Sequence, residues 1–161
     1  MTATLGHDIT FVRLPEIALN EILVHMSDPR VAEHMPLLTC DWDRAVVAEF
    51  IIAKEMYWQR DGLGHWAILS NGCYVGWGGF QREGDDWDFG LVLKPYAFGL
   101  GPRILKKAIA FAVYDRRIQT VTFLLPPSRK KLKAFERLGA SLVGERFYEG
   151  AKFLKYSLQT D

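Results

Sequence analysis

The chain has 161 residues, 49% hydrophobic and 24% charged, with a net charge of +1. That length predicts one domain, residues 1–161, with a core of its own. The near-neutral balance excludes a general nucleic-acid binder, and no apolar run approaches the roughly 20 residues of a membrane-crossing helix. Met1 to Asp8 lacks a basic stretch followed by an apolar core, so no secretory signal is expected and the cytoplasm is the default. Cys40 and Cys73 form neither a framework nor a CxxC pair, which suits a reducing compartment. His7, His25, His34 and His65 lack metal-ligand spacing, so no metal is expected.

Asp8 to Arg13 reads as a first strand. After Pro15, the residues Ile17, Leu19, Ile22 and Leu23 predict a short helix ending near Asp28-Pro29. Asp41 or Asp43 caps the next helix, with Val46, Val47, Phe50, Ile51 and Met56 at helical spacing and a stop at Asp61 to Gly64. From His65 the period becomes two. Asn71-Gly72 marks a two-residue hairpin, a second strand runs from Tyr74 to Gln81, and a third from Trp87 to Leu93. Gly76, Gly78 and Gly79 inside a strand point to close backbone approach or a bend.

Pro102 suits the first turn of a helix whose buried stripe is Ile104, Leu105, Ala108, Ile109, Ala112 and Val113. Thr120 to Leu125 follows as a strand, joined to the third strand by a right-handed crossover and so parallel to it. Ser128 caps a helix that buries Leu132, Phe135 and Leu138 and ends at Gly139. Ala140 to Glu145 and Ala151 to Leu158 are the last two strands. This order predicts an α/β (α+β) fold: a mixed, mostly antiparallel sheet of about six to seven strands flanked by about four helices.

The stretch Gly99-Leu100-Gly101-Pro102-Arg103 lies between a strand and a helix. A glycine turn at a helix start gathers unpaired N–H groups and the positive end of the helix dipole, which favours an anionic ligand such as phosphate. A dinucleotide fingerprint fits poorly, because its third glycine falls on Ile104 and no carboxylate closes the next strand. No Gly-Lys-Ser/Thr follows, which excludes a P-loop. A tight turn without a ligand is the plain alternative.

Three stretches together resemble the GNAT superfamily of acyl-CoA-dependent N-acetyltransferases. Asp88 to Pro95 looks like that family's central strand and closing proline, and Gly99 to Leu105 like its pyrophosphate loop. Ser128 to Ala140, with Ala134-Phe135-Glu136-Arg137-Leu138-Gly139, looks like its second motif. The Asp-Phe-Gly run and short N-terminal helices are most similar to the ribosomal-protein N-terminal acetyltransferase branch. The chain departs from the pattern at Tyr96, where the family has a basic residue or Gln, and at Phe135, the place of a frequent tyrosine acid.

The resemblance implies acetyl-CoA as donor, a primary amine of a small molecule or protein N-terminus as acceptor, and direct attack between them. It implies main-chain contacts to the cofactor from Leu91, Val92 and Leu93. The loop residues Phe98, Gly99, Leu100, Gly101 and Arg103 would hold the phosphates, and Ser128 and Lys131 its far end. Acetyl transfer needs a neutral amine, and a free amine of the lysine type has a pKa near 10.4, so a carboxylate base is wanted. Asp88 is the first candidate, because it alternates away from Trp87 and Phe89. Glu83 and His34 are weaker candidates, and Tyr148 is a substitute acid hydroxyl. Trp42, Tyr57, Trp58 and Trp77 are core by default, with some free to line an acceptor pocket between the first helices and the last hairpin. A non-catalytic acyl-CoA sensor is the alternative function, and the oligomeric state stays open, a homodimer included.

Overall fold

The structure is a computed structural model, and it describes residues 8–33, 41–127 and 133–160. The expected roles of His34, Ser128, Lys131 and Leu132 therefore fall outside the described residues.

Seven strands form one sheet: β1 (Ile9–Arg13), β2 (His65–Ser70), β3 (Cys73–Glu83), β4 (Asp86–Leu93), β5 (Thr120–Leu125), β6 (Ser141–Tyr148) and β7 (Ala151–Gln159). Their spatial order is β1-β2-β3-β4-β5-β7-β6. Every neighbouring pair is antiparallel except β4–β5, the parallel pair that the crossover predicts. Two-residue turns close the β2–β3, β3–β4 and β6–β7 hairpins, and the first and last of them share one geometry. Asn71 and Gly72 take φ values of 51° and 82°, and Glu149 and Gly150 take 50° and 82°, the left-handed pair whose twist matches that of the strands.

The helices are α1 (Leu19–Met26), α2 (Pro29–Ala32), α3 (Arg44–Asp61), α4 (Gly101–Tyr114) and α5 (Lys133–Arg137). A short helix beginning at Pro29, capped by the Asp28 side chain, stands where the sequence reading ended the first helix. Asp43 caps α3 by accepting from the Val46 N–H at 2.8 Å. Gly62 ends α3 with a φ of 76°.

α1 and α3 cover one face of the sheet, where Ile22, Met26 and Val47 pack on Ala67, Tyr74 and Trp77. α4 and α5 cover the other, where Leu105, Ala108, Ala112 and Phe135 meet Trp66, Phe80, Phe89 and Phe123. Three residues assigned to buried stripes are instead exposed: Met56 on α3, Val113 on α4 and Leu138 just after α5. Each sits at the margin of its stripe, where helical spacing alone does not separate core from rim.

Phe135 is buried, with its ring 5.1 Å from that of Phe123 and 6.2 Å from that of Tyr156. At the place of the family's frequent acid, this chain has a core residue.

Candidate active site

The site begins with how β4 is held. Along β3 it pairs from Gly76 opposite Leu93 to Glu83 opposite Asp86. Along β5 it pairs at Trp87–Val121 and Asp88–Thr122, the pairings found among the described residues, and from Phe89 onward the strands separate. The glycines of β3 explain the tight side. A Cβ on Gly78 would lie 2.5 Å from the Gly90 carbonyl oxygen, and one on Gly76 would lie 2.4 Å from that of Val92.

Alternation decides which peptide groups face the opening. The Phe80 N–H donates to the Gly64 carbonyl on the β2 side, and the Lys94 N–H donates to Val75 on the β3 side. In an antiparallel ladder the bonding direction alternates. Asp88, Gly90 and Val92 therefore bond toward β3, and Phe89, Leu91 and Leu93 turn their N–H and C=O groups toward the gap. Of the strand residues expected to offer main-chain contacts, Leu91 and Leu93 face their peptide groups to the gap. Val92 spends its peptide groups on β3 and lines the opposite face with its side chain.

The glycine stretch is a continuous helical lead-in rather than a loose loop. Pro95 to Leu100 form a 3-10 helix running directly into α4. The Gly101 N–H donates to the Phe98 carbonyl, so that amide is already engaged. No side chain caps α4, and Phe98, Gly99 and Arg103 are exposed around its start while Leu100 and Gly101 are half-buried. A Cβ on Gly101 would touch only the Leu93 side chain, at 3.9 Å, and one on Gly99 would meet nothing. The expected anion site thus rests on the helix-end field and the open approach at Gly99, with fewer free amides than the motif suggests.

Where β4 and β5 part, a cleft of about 290 Å³ opens on the α3 face. Its floor is Gln81, Asp88, Gly90, Val92 and Leu124; α3 brings Lys54 to one side, and the β6–β7 hairpin brings Tyr148 and Phe153 to the other. Asp88 is the half-buried group at the apex, and it accepts from the Thr122 hydroxyl at 3.0 Å. Burial pushes its pKa up to about 7; the Thr122 hydrogen bond opposes this, and the Glu83 charge adds to it. Glu83 is exposed at the rim, where the Gln81 amide donates to it at 3.3 Å. Tyr148 stands edge-on to Phe153 with ring centres 5.8 Å apart. Asp88, Glu83 and Tyr148, named separately from the sequence, thus line one cleft.

Sequence reasoning missed Lys54, His65 and Thr122. Thr122 was legible in principle, because alternation on β5 puts it on Asp88's face. Lys54 lies on α3 between Phe50 and Tyr57 and packs over aromatic rings; burial lowers its pKa to about 8. His65 reaches toward Gly90, where its Nε2 would lie 4.0 Å from an added Cβ, an ordinary contact. Burial, with the Lys54 charge adding to it, holds His65 neutral. Trp77 is fixed between them by donating its indole N–H to the Met26 sulfur at 3.2 Å.

A mixed sheet splayed at its one parallel pair, with a carboxylate at the apex and a helix start beside the gap, is the architecture of an acyl-transfer enzyme. The family model of the acetyltransferase (GNAT) domain matches residues 9–141, and the chain belongs to that family. It is an acetyltransferase whose donor is acetyl-CoA.

Solved structures share the fold. RimL, the ribosomal L7/L12 alpha-N-protein acetyltransferase in complex with coenzyme A, is 10% identical, with 97% of this chain and 96% of that one covered and a TM-score of 0.80. MccE, the microcin C7 self-immunity acetyltransferase in complex with acetyl-CoA and AMP, is 16% identical, with 94% and 92% covered and a TM-score of 0.76. An N-acetyltransferase from Staphylococcus aureus Mu50 is 15% identical, with 97% and 99% covered and a TM-score of 0.72. No curated protein sequence matches the chain significantly. Among the described residues no helix is long and apolar enough to cross a membrane.

Proposed function

We propose that Asp88 is the general base of an N-acetyltransferase acting on a primary amine, in a single domain spanning 1–161. The observation that carries this reading is the half-buried carboxylate at the β4–β5 apex, fixed by Thr122 and raised to about 7. A base with that pKa is mostly ionised just above neutrality and still accepts a proton readily.

Acetyl-CoA supplies the activated acyl group. The start of α4 receives the diphosphate, with Gly99, Gly101 and Arg103 nearest, and the free peptide groups of Leu91 and Leu93 run beside the pantetheine arm. Asp88 takes the proton that the acceptor ammonium must lose, directly or through a water. The amine lone pair then attacks the thioester carbonyl, the C–N bond forms and the C–S bond breaks. Main-chain N–H groups in the gap stabilise the oxyanion. The sulfur leaves as a thiolate, the nitrogen sheds its second proton to solvent, and the thiolate takes a proton from Tyr148, itself reprotonated by solvent, or from solvent directly; Phe135 carries no proton to give.

Exposed, unpaired Cys73 suits a cytoplasmic enzyme. Leu142, Val143 and Phe147 are exposed on the edge strand β6, which supports pairing of two copies there. The test is release of free thiol from acetyl-CoA across a panel of amines and N-terminal peptides, in wild type and Asp88→Asn. Turnover that Asp88→Asn leaves intact removes the carboxylate from the mechanism.

A further inference from the structure

The cleft is electrically lopsided. Glu83 and Asp88 supply carboxylate oxygens at its β3–β4 end. At its α3–β2 corner stand two nitrogen groups that meet no oxygen among the described residues. Among the described residues Lys54 makes no ion pair or hydrogen bond; its ammonium lies 5.0 Å from the ring centre of Trp77, 5.7 Å from that of Phe50 and 6.0 Å from that of Tyr57. His65, only 6% exposed, has an Nδ1 without a partner. Outside the described residues, 1–7, 34–40 and 128–132 contain no Asp or Glu; the one acidic residue there is Asp161, which follows Thr160, hydrogen-bonded to Gln119 before β5. Lys155, by contrast, has Asp86 at 3.9 Å.

A cation drawn partly out of water needs an anion, and aromatic faces offset that need only in part. We propose that the acceptor is a primary amine that also carries a carboxylate, lying with its nitrogen at Asp88 and its carboxylate at the Lys54–His65 corner. This deepens the acetyltransferase reading and rests on it. The reverse orientation is disfavoured, because it sets carboxylate against Asp88 and Glu83 and ammonium against Lys54. The register supplies a scale. His65, Gly79 and Gly90 lie in line across β2, β3 and β4, and Asp88 is two residues along β4. The Cα positions of His65 and Asp88 are then roughly 12 Å apart. With side chains reaching in from both ends, the remaining gap suits an amine and a carboxylate separated by a few carbons.

The experiment compares kcat/KM for glycine, β-alanine and γ-aminobutyrate with methylamine, ethylamine and propylamine, their counterparts without the carboxylate. The best carboxylate-bearing acceptor is expected to exceed its counterpart by about ten- to a hundredfold, the worth of one charge-assisted contact. Lys54→Met is expected to remove most of that ratio. Dipeptides beginning with Asp or Glu show whether the same pair is met at a peptide terminus. Equal use of both series overturns the proposal while acetyl transfer stands. If neither series is acetylated, carbon NMR of the Lys54 Cε in the wild-type protein with CoA decides. Adding γ-aminobutyrate is expected to shift the lysine titration upward, whereas propylamine does not. An unmoved titration overturns the proposal without any appeal to turnover.

Discussion

Along its β3 edge, β4 is zipped from Asp86 to Leu93, with glycines on β3 letting the backbones close. Along its β5 edge it is zipped at Trp87 and Asp88 and then open. One strand therefore does two jobs. The closed edge makes it rigid, and the open edge leaves the peptide groups of Leu91 and Leu93 available to a ligand. A binding edge of this kind is stable only because the other edge is fully satisfied, since an unpaired backbone buried on both sides costs too much.

Substitutions separate the two edges. The largest expected effect is at the apex, where they meet: Asp88→Asn lowers kcat by about 100- to 10,000-fold, the usual span for a general base. In wild type kcat/KM rises with pH through about 7 as Asp88 ionises, and Asn removes that limb of the profile. Stability follows the opposite sign. The folded pKa lies above the ordinary 3.8, so the protonated form is favoured by folding, and wild-type stability falls between about pH 4 and 7. Denaturation of both proteins at pH 4 and pH 8 checks this: relative to wild type, Asp88→Asn gains on going to the higher pH.

On the closed edge, Gly76→Ala forces a Cβ to within 2.4 Å of the Val92 oxygen and 2.8 Å of the Leu93 Cα. A loss of about 3 kcal/mol is expected in chemical denaturation. On the open edge, the Cβ added by Gly101→Asp meets Leu93 at an unstrained 3.9 Å, and its carboxylate places a negative charge at a helix start. Stability holds, while CoA affinity measured by calorimetry falls by about a hundredfold through like-charge repulsion. Unchanged affinity would take the diphosphate away from α4.

The smallest effect is expected away from both edges. Phe135→Tyr puts a hydroxyl among Phe123 and Tyr156 and costs about 1–2 kcal/mol. The rate stays unchanged within about twofold, because a residue in that core cluster has no part in the proposed proton transfer.

The sheet was legible because its signals are local. Asn71-Gly72 fixes a hairpin, Pro102 opens a helix, and strict alternation from Trp87 sends Asp88 to the face opposite Phe89. The apex carboxylate followed from the same alternation. What stayed hidden depended on contacts between distant segments. Nothing near Lys54 in the chain shows that its ammonium ends over Trp77, and nothing near His65 shows that its ring ends beside Trp77 and Gly90. The glycine motif was misleading in detail, because its sequence does not reveal that Pro95 to Leu100 wind into a 3-10 helix and engage the Gly101 amide.

Asp88 and Leu91 sit three residues apart on one clamped strand, and strand rise sets their Cα positions about 10 Å from each other. In the proposed mechanism β4 thus works as a ruler between the proton acceptor and the thioester arm. Whatever mutation makes of α3 or the hairpin tip, that spacing is inherited unchanged. New acceptors can be explored over evolutionary time by altering the walls while the measure of the reaction itself stays constant.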